Sequence, residues 1–350
     1  MQYSILGSSD LSVSRVCLGT MTWGQQNTQA DANAQLALAL EAGVNFIDTA
    51  ELYAIPPRPE TYGATEQILG NWLSRHAAQR DKLIIASKIA GNGISHIRNG
   101  SPISPQSIIA AVEGSLSRLN TDYIDLYQLH WPNRTSPHFG KHAVNRINFA
   151  TVNVQQQQDE ILAILQTLAD LVQAGKIRYC GLSNETPWGI SQYLQLSKQH
   201  NLPRMVSVQN EFGPLHTKDW PYLLEQCQHE QLAYLPWSPL AGGALSGKYL
   251  GGARPAGSRW SIAQRNGLFR DTAQSNAAIA DFVALAANFR ISPTQLALSW
   301  TNQVVGVTST IIGATNTQQL QENIAAFAIP LKPAVLDAMN DWLQRHPQTF

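Results

Sequence analysis

Ile124-Asp-Leu-Tyr-Gln-Leu-His130 is a strand-length, mainly apolar run that stops on an imidazole. Two earlier runs end on other polar tips: Asn45-Phe-Ile-Asp48 on a carboxylate and Leu83-Ile-Ile-Ala-Ser-Lys88 on an ammonium. Tyr53 follows Asp48 by five residues, in the loop beyond that run. Polar tips at the ends of successive strands mark the active-site face of a strand-helix barrel.

Reading outward, short apolar runs alternate with longer segments of helical period, the pattern of parallel strands joined by crossover helices. Eight such runs occur: Val16–Gly19, Asn45–Asp48, Leu83–Lys88, Ile124–His130, Ile177–Ser183, Val206–Asn210, Leu232–Trp237 and Ser309–Gly313. Eight is the number that closes a parallel barrel. The fold class predicted is therefore α/β, a (β/α)8 TIM barrel, forming one domain over residues 1–350. Tyr3 to Val13, around Gly7, reads as a hairpin outside the repeat that plugs the barrel bottom. Ser104-Pro105 predicts a helix N-cap and first position, and Thr317 a second cap. Gly43, Gly70 and Gly175 fall where helical patterns end or break, the expected place of a left-handed residue. Residues 54–63, 131–157 and 241–275 interrupt the repeat; all follow strands, so long loops are expected on the C-terminal face.

Composition narrows the partners. Apolar residues are 44% and charged residues 14%, against roughly 25% charged in typical soluble proteins. Lys+Arg and Asp+Glu both number 24, so no basic field draws nucleic acid or anionic lipid. Cys17, Cys180 and Cys227 are widely spaced, without a Cys-x-x-Cys pair, which predicts a reducing, cytoplasmic setting. Neither a signal-peptide pattern nor an 18-residue apolar stretch is present. The expected partner is a small molecule, with no nucleic acid, no membrane and no metal; self-association is compatible with the low charge but unspecified.

Gly43-Val-Asn-Phe-Ile-Asp-Thr-Ala50 with Tyr53, Ala86-Ser-Lys88 and Asp122-Tyr-Ile-Asp-Leu-Tyr-Gln-Leu-His-Trp-Pro132 resemble the aldo-keto reductase family. So do Gly175-Lys-Ile-Arg-Tyr-Cys-Gly-Leu-Ser-Asn184, Val208-Gln-Asn210, Trp237 to Tyr249, Ile312-Gly-Ala-Thr315 and Gln319-Leu-Gln-Glu-Asn323. The Pro-rich stretch after Tyr53 is similar, more narrowly, to a bacterial Tas-like, NADP(H)-dependent branch. The resemblance spans nearly the whole chain. It implies reduction of aldehyde or ketone carbonyls to alcohols with NADPH/NADP+ and without a metal.

The residues can carry that chemistry. Hydride arriving at a carbonyl carbon leaves charge on oxygen, so a proton donor is needed, and a phenol with pKa about 10 is a reluctant one. Lys88 beside Tyr53 is expected to lower that pKa, with Asp48 keeping the ammonium charged and oriented. His130 would hydrogen-bond the substrate oxygen and place the carbonyl. Taken singly, each has an ordinary explanation as a helix cap, a packed ring or a core histidine; held in order at strand ends, they read as a catalytic set.

For the cofactor, the resemblance implies that Ser183, Asn184 and Gln209 hold the nicotinamide carboxamide, as groups that can donate and accept. Trp237 stands where Tyr or Phe is more usual for stacking on the ring, or seals the barrel top. Ser238, Leu240, Gly242 and Lys248 belong to a small-residue loop suited to pyrophosphate. Arg259, or alternatively Arg254, meets the 2′-phosphate; Gly313, Thr315, Gln319 and Asn323 complete that end near a helix N-terminus. Trp23, Tyr62, Trp131 and Phe139 are expected to line a hydrophobic substrate pocket, favouring an aromatic or medium-chain carbonyl. Ala54 follows Tyr53 where Gly is common, and the insertion to Gly63 is expected to wall the pocket. Two other readings stand beside this one. A cofactor-sensing regulatory protein resembling potassium-channel β-subunits shares the family's fold, while a metal-dependent barrel hydrolase lacks its His-x-His or His-Glu-x-x-His pattern.

Overall fold

The computed structural model describes residues 1–347, so the last three residues of the expected 1–350 unit lie outside the described residues. A hairpin comes first, β1 (Tyr3–Ile5) antiparallel to β2 (Ser12–Ser14). Then follow β3 (Val16–Gly19), β4 (Phe46–Asp48), β5 (Ile84–Ile89), β6 (Ile124–Leu129), β7 (Ile177–Ser183), β8 (Met205–Gln209), β9 (Ala233–Tyr234) and β10 (Thr310–Ile312). These eight strands pair in parallel, in the order β10-β3-β4-β5-β6-β7-β8-β9. The ring closes where Thr308 N donates to Tyr234 O at 2.9 Å and Ile311 N to Pro236 O at 2.8 Å.

Helices fill the crossovers: α1 (Gln29–Glu41), α2 (Ala64–Arg75), α3 (Pro105–Leu119), α4 (Val154–Gln173), α5 (Pro187–His200), α6 (Tyr222–His229), then α7 (Ala273–Asn288) and α8 (Pro293–Gln303) before β10. After β10 come α9 (Thr317–Ala326) and α10 (Pro333–Arg345). The architecture is the (β/α)8 barrel expected, with the N-terminal hairpin outside it.

Strand side chains alternate between two faces, and that alternation builds the site. Phe46, Ile84, Ala86 and Leu126 pack in the lumen with Leu6 and Leu11 of the hairpin segment. Ile47, Ile85 and Tyr127 point the other way, into the helix layer. Two residues further along the same lumen face, the strands change from apolar to polar: Phe46 to Asp48, Ala86 to Lys88, Leu126 to Gln128. The hairpin does stopper the opposite end. Gly7, with φ of 57°, lies so close to Val206 O that a Cβ there would come within 2.1 Å of it.

Local signals were met unevenly. Ser104 caps α3 in a capping box with Ser107, and Pro105 is its first residue. α9 is capped instead by Asn316, whose side chain accepts from Gln319 N, which makes Thr317 the first helical residue. Gly43 and Gly175 adopt positive φ after α1 and α4. Gly70 does not; it lies inside α2, where a Cβ would come within 2.0 Å of Arg118 O, so close packing on α3 explains it.

Candidate active site

β4 and β5 are neighbours, so Asp48 and Lys88 emerge side by side at the mouth. Lys88, fully buried, donates from Nζ to Asp48 Oδ2 at 2.6 Å, Thr49 O at 2.8 Å and Tyr53 Oη at 3.5 Å. Asp48 Oδ1 accepts from Gln209 Nε2 at 2.8 Å and Gln128 Nε2 at 3.4 Å. The backbone beyond β4 keeps pairing, with Thr49 N on Ala86 O at 2.9 Å and Glu51 N on Lys88 O at 3.2 Å, and this brings Tyr53 back over Lys88. His130 closes the group: its ring meets that of Tyr53 edge-on, with centroids 5.6 Å apart.

The ionisation of these groups follows from burial and neighbours. Burial pulls the Lys88 ammonium down, but Asp48, Tyr53 and the hydrogen bonds to both outweigh it, leaving its pKa raised. Burial raises the Tyr53 phenol, Lys88 lowers it and Asp48 raises it again, with a net rise. The expected lowering by Lys88 is thus present but smaller than the desolvation it opposes. Burial, with help from Lys88, holds His130 well below its usual value, so the ring is neutral at pH 7. Its Nδ1 is buried without a partner among the described residues.

A cleft of about 1630 Å³ opens above this cluster. Single-ligand pockets are typically about 300–1,000 Å³, so the cleft has room for a dinucleotide and a second molecule. Asp48, Tyr53 and His130 line it, while Lys88 lies behind them. Every residue expected at the cofactor lines it too: Ser183, Asn184, Gln209, Trp237, Ser238, Leu240, Gly242, Lys248, Arg259, Gly313, Thr315, Gln319 and Asn323.

The donors and acceptors fit a nicotinamide dinucleotide. Asn184 donates to His130 O at 2.9 Å, which leaves its Oδ1 buried, unpartnered and on the cleft wall, an acceptor suited to a carboxamide N–H. Gly242 and Gly243 have φ of 70° and 93°, and a Cβ on Gly243 would come within 3.2 Å of Lys248 Nζ. Without side chains there, backbone and ammonium face one small space, as a pyrophosphate requires. At the other end Gln319 Oε1 accepts from Thr315 N at 3.2 Å and Asn323 Nδ2 donates to Gly313 O at 3.2 Å, tying α9 to the loop after β10. Arg254 is engaged elsewhere, paired with Asp271 at 2.5 Å, and does not line the cleft. Arg259 lines it, with a guanidinium N–H directed at Met21 Sδ, 3.5 Å away.

The substrate wall differs from expectation at two of its aromatics. Trp23 is fully buried in the layer between barrel and helices, with Nε1 donating to Gln35 at 2.9 Å, and it does not reach the cleft. Tyr62 is turned away too, donating to Glu51 Oε2 at 2.9 Å under the Arg118 guanidinium. Trp131 and Phe139 do line the cleft, and the Phe139 ring stacks beside Trp237 with centroids 5.9 Å apart. From the Pro-rich insertion, Ile55 and Pro57 supply part of the wall. Sequence reading missed Gln128, although its spacing of two from His130 puts it on the lumen face. It also missed Glu51, whose buried carboxylate accepts from Ala90 N at 2.7 Å and from Arg98.

Set beside known proteins, a barrel with this mouth is that of an oxidoreductase. Residues 15–343 match the Aldo/keto reductase family, and the chain belongs to it. It is 43% identical to Protein tas of Escherichia coli over 339 residues, 96% of each chain, which supports the Tas-like branch. It is 30% identical over 347 residues to the uncharacterized oxidoreductase YrpG of Bacillus subtilis, covering 97% of this chain and 95% of that one. A probable voltage-gated potassium channel subunit beta of Arabidopsis thaliana is 28% identical over 365 residues, 99% of this chain and 98% of that one. No helix among the described residues is long and apolar enough to cross a membrane.

Proposed function

We propose that this protein is an NADP(H)-dependent carbonyl reductase in which Tyr53 protonates the substrate oxygen. The observation carrying this reading is the buried Lys88 ammonium, 2.6 Å from Asp48 and 3.5 Å from Tyr53 Oη, directly beneath a cleft of dinucleotide size. The nicotinamide, when bound, supplies the hydride. Ser183, Asn184 and Gln209 would hold its carboxamide, Trp237 would lie against the ring, and Ser238, Leu240, Gly242 and Lys248 would receive the pyrophosphate. Arg259, Gly313, Thr315, Gln319 and Asn323 would take the adenosine end, with Arg259 on its 2′-phosphate. A carbonyl oxygen set between Tyr53 and His130 accepts two hydrogen bonds, one from the phenol and one from the neutral imidazole. As charge builds on that oxygen the phenol proton crosses to it, and Lys88, held by Asp48, stabilises the phenolate left behind.

The decisive experiment follows oxidation of NADPH and of NADH with a panel of aldehydes and ketones, for wild type and Tyr53→Phe. Rates of ordinary enzyme size, about 10 s⁻¹, with preference for NADPH and loss in the variant, are expected. Wild-type rates that survive in Tyr53→Phe would remove the phenol from its role. A second reading, a cofactor-sensing binding protein, is favoured by the similarity to plant channel β-subunits over 99% of the chain. It predicts tight nucleotide binding with turnover far below about 1 s⁻¹ on every carbonyl.

A further inference from the structure

Within the loop between β9 and α7, residues 254–271 form a strap tethered to both sides of the mouth. Arg254 and Asp271 pair at 2.5 Å and close its two ends. Gln26, in the loop after β3, donates to Gly257 O at 3.1 Å. Arg58, in the insertion after Tyr53, donates to Gln264 Oε1 at 3.2 Å. On the opposite side Phe269 packs on Gly140, where a Cβ would come within 2.7 Å of its ring, next to the cleft-lining Phe139. Arg265, next to Gln264, therefore lies between the Tyr53 loop and the loop that carries Trp131 and Phe139, with Arg259, Arg270 and Tyr53 as its ionisable neighbours.

Arg265 lines the cleft and makes no ion pair with any described residue. Lys141 also lines the cleft but is exposed to solvent, and the remaining charges are engaged or assigned. Asp48 is taken by Lys88, and Arg134 by Glu185. Glu322 accepts from Gln318 on α9 at the adenosine end. Arg270, next along the loop, is held by Glu211. Lys248 and Arg259 are assigned above to the cofactor. Burial, then repulsion from Arg259 and Arg270, pushes the Arg265 guanidinium down to about 10. An arginine kept in such a place without an acid is unfavourable until an anion arrives.

We propose that Arg265 is an oxyanion-binding position of the substrate chamber, and that the carbonyl compound reduced here carries a carboxylate which Arg265 pairs. The proposal rests on the reductase reading above. Guanidinium and carboxylate match in a two-pronged, planar contact that lysine does not reproduce. The wall of Trp131, Phe139, Ile55 and Pro57 suits an apolar body between the carbonyl and the acid. The other source of an oxyanion within the cleft is a phosphate of the dinucleotide.

The test compares 4-carboxybenzaldehyde with its methyl ester as substrates of the full chain with saturating NADPH, in wild type, Arg265→Gln and Arg265→Lys. Wild type should favour the acid by about tenfold or more in kcat/KM, the effect of one charge-assisted pair. Arg265→Gln should bring the ratio to about one, mainly through KM, and Arg265→Lys should retain part of it. In parallel, the NADP+ complex is titrated with benzoate and with benzamide, read by tryptophan fluorescence from Trp131 and Trp237. Benzoate should bind more tightly in wild type only. Equal kcat/KM for acid and ester in wild type overturns the proposal, as does equal binding of benzoate and benzamide. An unchanged ratio with NADPH binding weakened about tenfold in Arg265→Gln overturns it in favour of a cofactor phosphate. If neither aldehyde is reduced but benzoate binding depends on Arg265, the reductase reading fails and the oxyanion position stands.

Discussion

The Lys88 ammonium lies 3.5 Å from the Tyr53 hydroxyl, yet the phenol is held above its ordinary value because burial outweighs that charge. Tyr53 therefore keeps its proton through the neutral range, which is the form a donor needs. With the chemical step rate-limiting, established by a deuteride isotope effect, reduction should be level from about pH 6 to 9 and fall only above about 10. Lys88→Met removes the one strong influence favouring phenolate, so kcat should drop by about 10²-fold or more and the decline should move to still higher pH. A wild-type decline centred below about pH 8 would exclude Tyr53 as the titrating donor.

His130 should contribute no acid limb. Its pKa is depressed by burial and then by Lys88, so across pH 5.5–8 the ring stays neutral. His138 and His216 are likewise pushed to about 3, and His142 to about 4, each chiefly by burial. In nitrogen-resolved NMR, none of these four rings should titrate between about pH 5.5 and 8, while a histidine of ordinary pKa near 6.5 would. A midpoint near 6.5 assigned to His130 would contradict its placement.

Asp219 ties stability to pH away from the chemistry. Its carboxyl is buried and raised from 3.8 to about 6, burial being the main cause, while it accepts from Tyr234 Oη at 2.7 Å and Asn210 Nδ2 at 2.9 Å. Between about pH 4 and 6 the folded chain binds the proton more strongly than the unfolded chain, so this contribution is fully present below pH 4 and lost as pH rises through 6. Asp219→Asn keeps an acceptor for both donors and removes the titration. Relative to wild type, the variant should gain on the order of 3 kcal/mol in unfolding free energy on going from about pH 4 to pH 7. Denaturant titrations at the two pH values measure it, and a pH-independent difference would show that Asp219 titrates normally.

What was legible in the chain was whatever period and position encode. The eight strands read correctly because each is a short run bounded by helical period, and the polar tips Asp48, Lys88 and His130 read correctly because they end those runs. Trp23 and Tyr62 read wrongly because loop sequence gives no direction to a side chain. Trp23 turns into the helix layer to satisfy its N–H on Gln35, and Tyr62 turns back to the buried Glu51. Gly70 looked like a helix stop, since contact with a second helix leaves no mark in local sequence. The strap's tethers, Gln26 to Gly257 and Arg58 to Gln264, join residues more than two hundred positions apart and are visible only in three dimensions.

Glu51 tests whether the catalytic loop depends on a pair outside the reacting set. Its carboxylate is fully buried two residues before Tyr53 and accepts from Arg98 Nη1 at 2.9 Å, Arg98 Nη2 at 2.5 Å, Ala90 N at 2.7 Å and Tyr62 Oη at 2.9 Å. Ala90 lies two residues beyond Lys88, so one side chain joins the loop that bears the proton donor to the strand that bears the ammonium. Glu51→Gln puts an N–H₂ where an oxygen accepted from Arg98 and from Ala90 N or Tyr62 Oη, leaving at least one N–H donor without its acceptor and the guanidinium without its counter-charge. Stability should fall by about 3 kcal/mol, the range for breaking one side of a buried pair. Arg98→Met should cost at least as much, because it leaves the fully buried Glu51 carboxylate without its counter-charge, held only by Ala90 N and Tyr62 Oη. Loosening the loop should lower kcat with little change in KM for either substrate, because Glu51 does not line the cleft. Stability and kcat both unchanged in Glu51→Gln would show that Tyr53 is positioned without this pair.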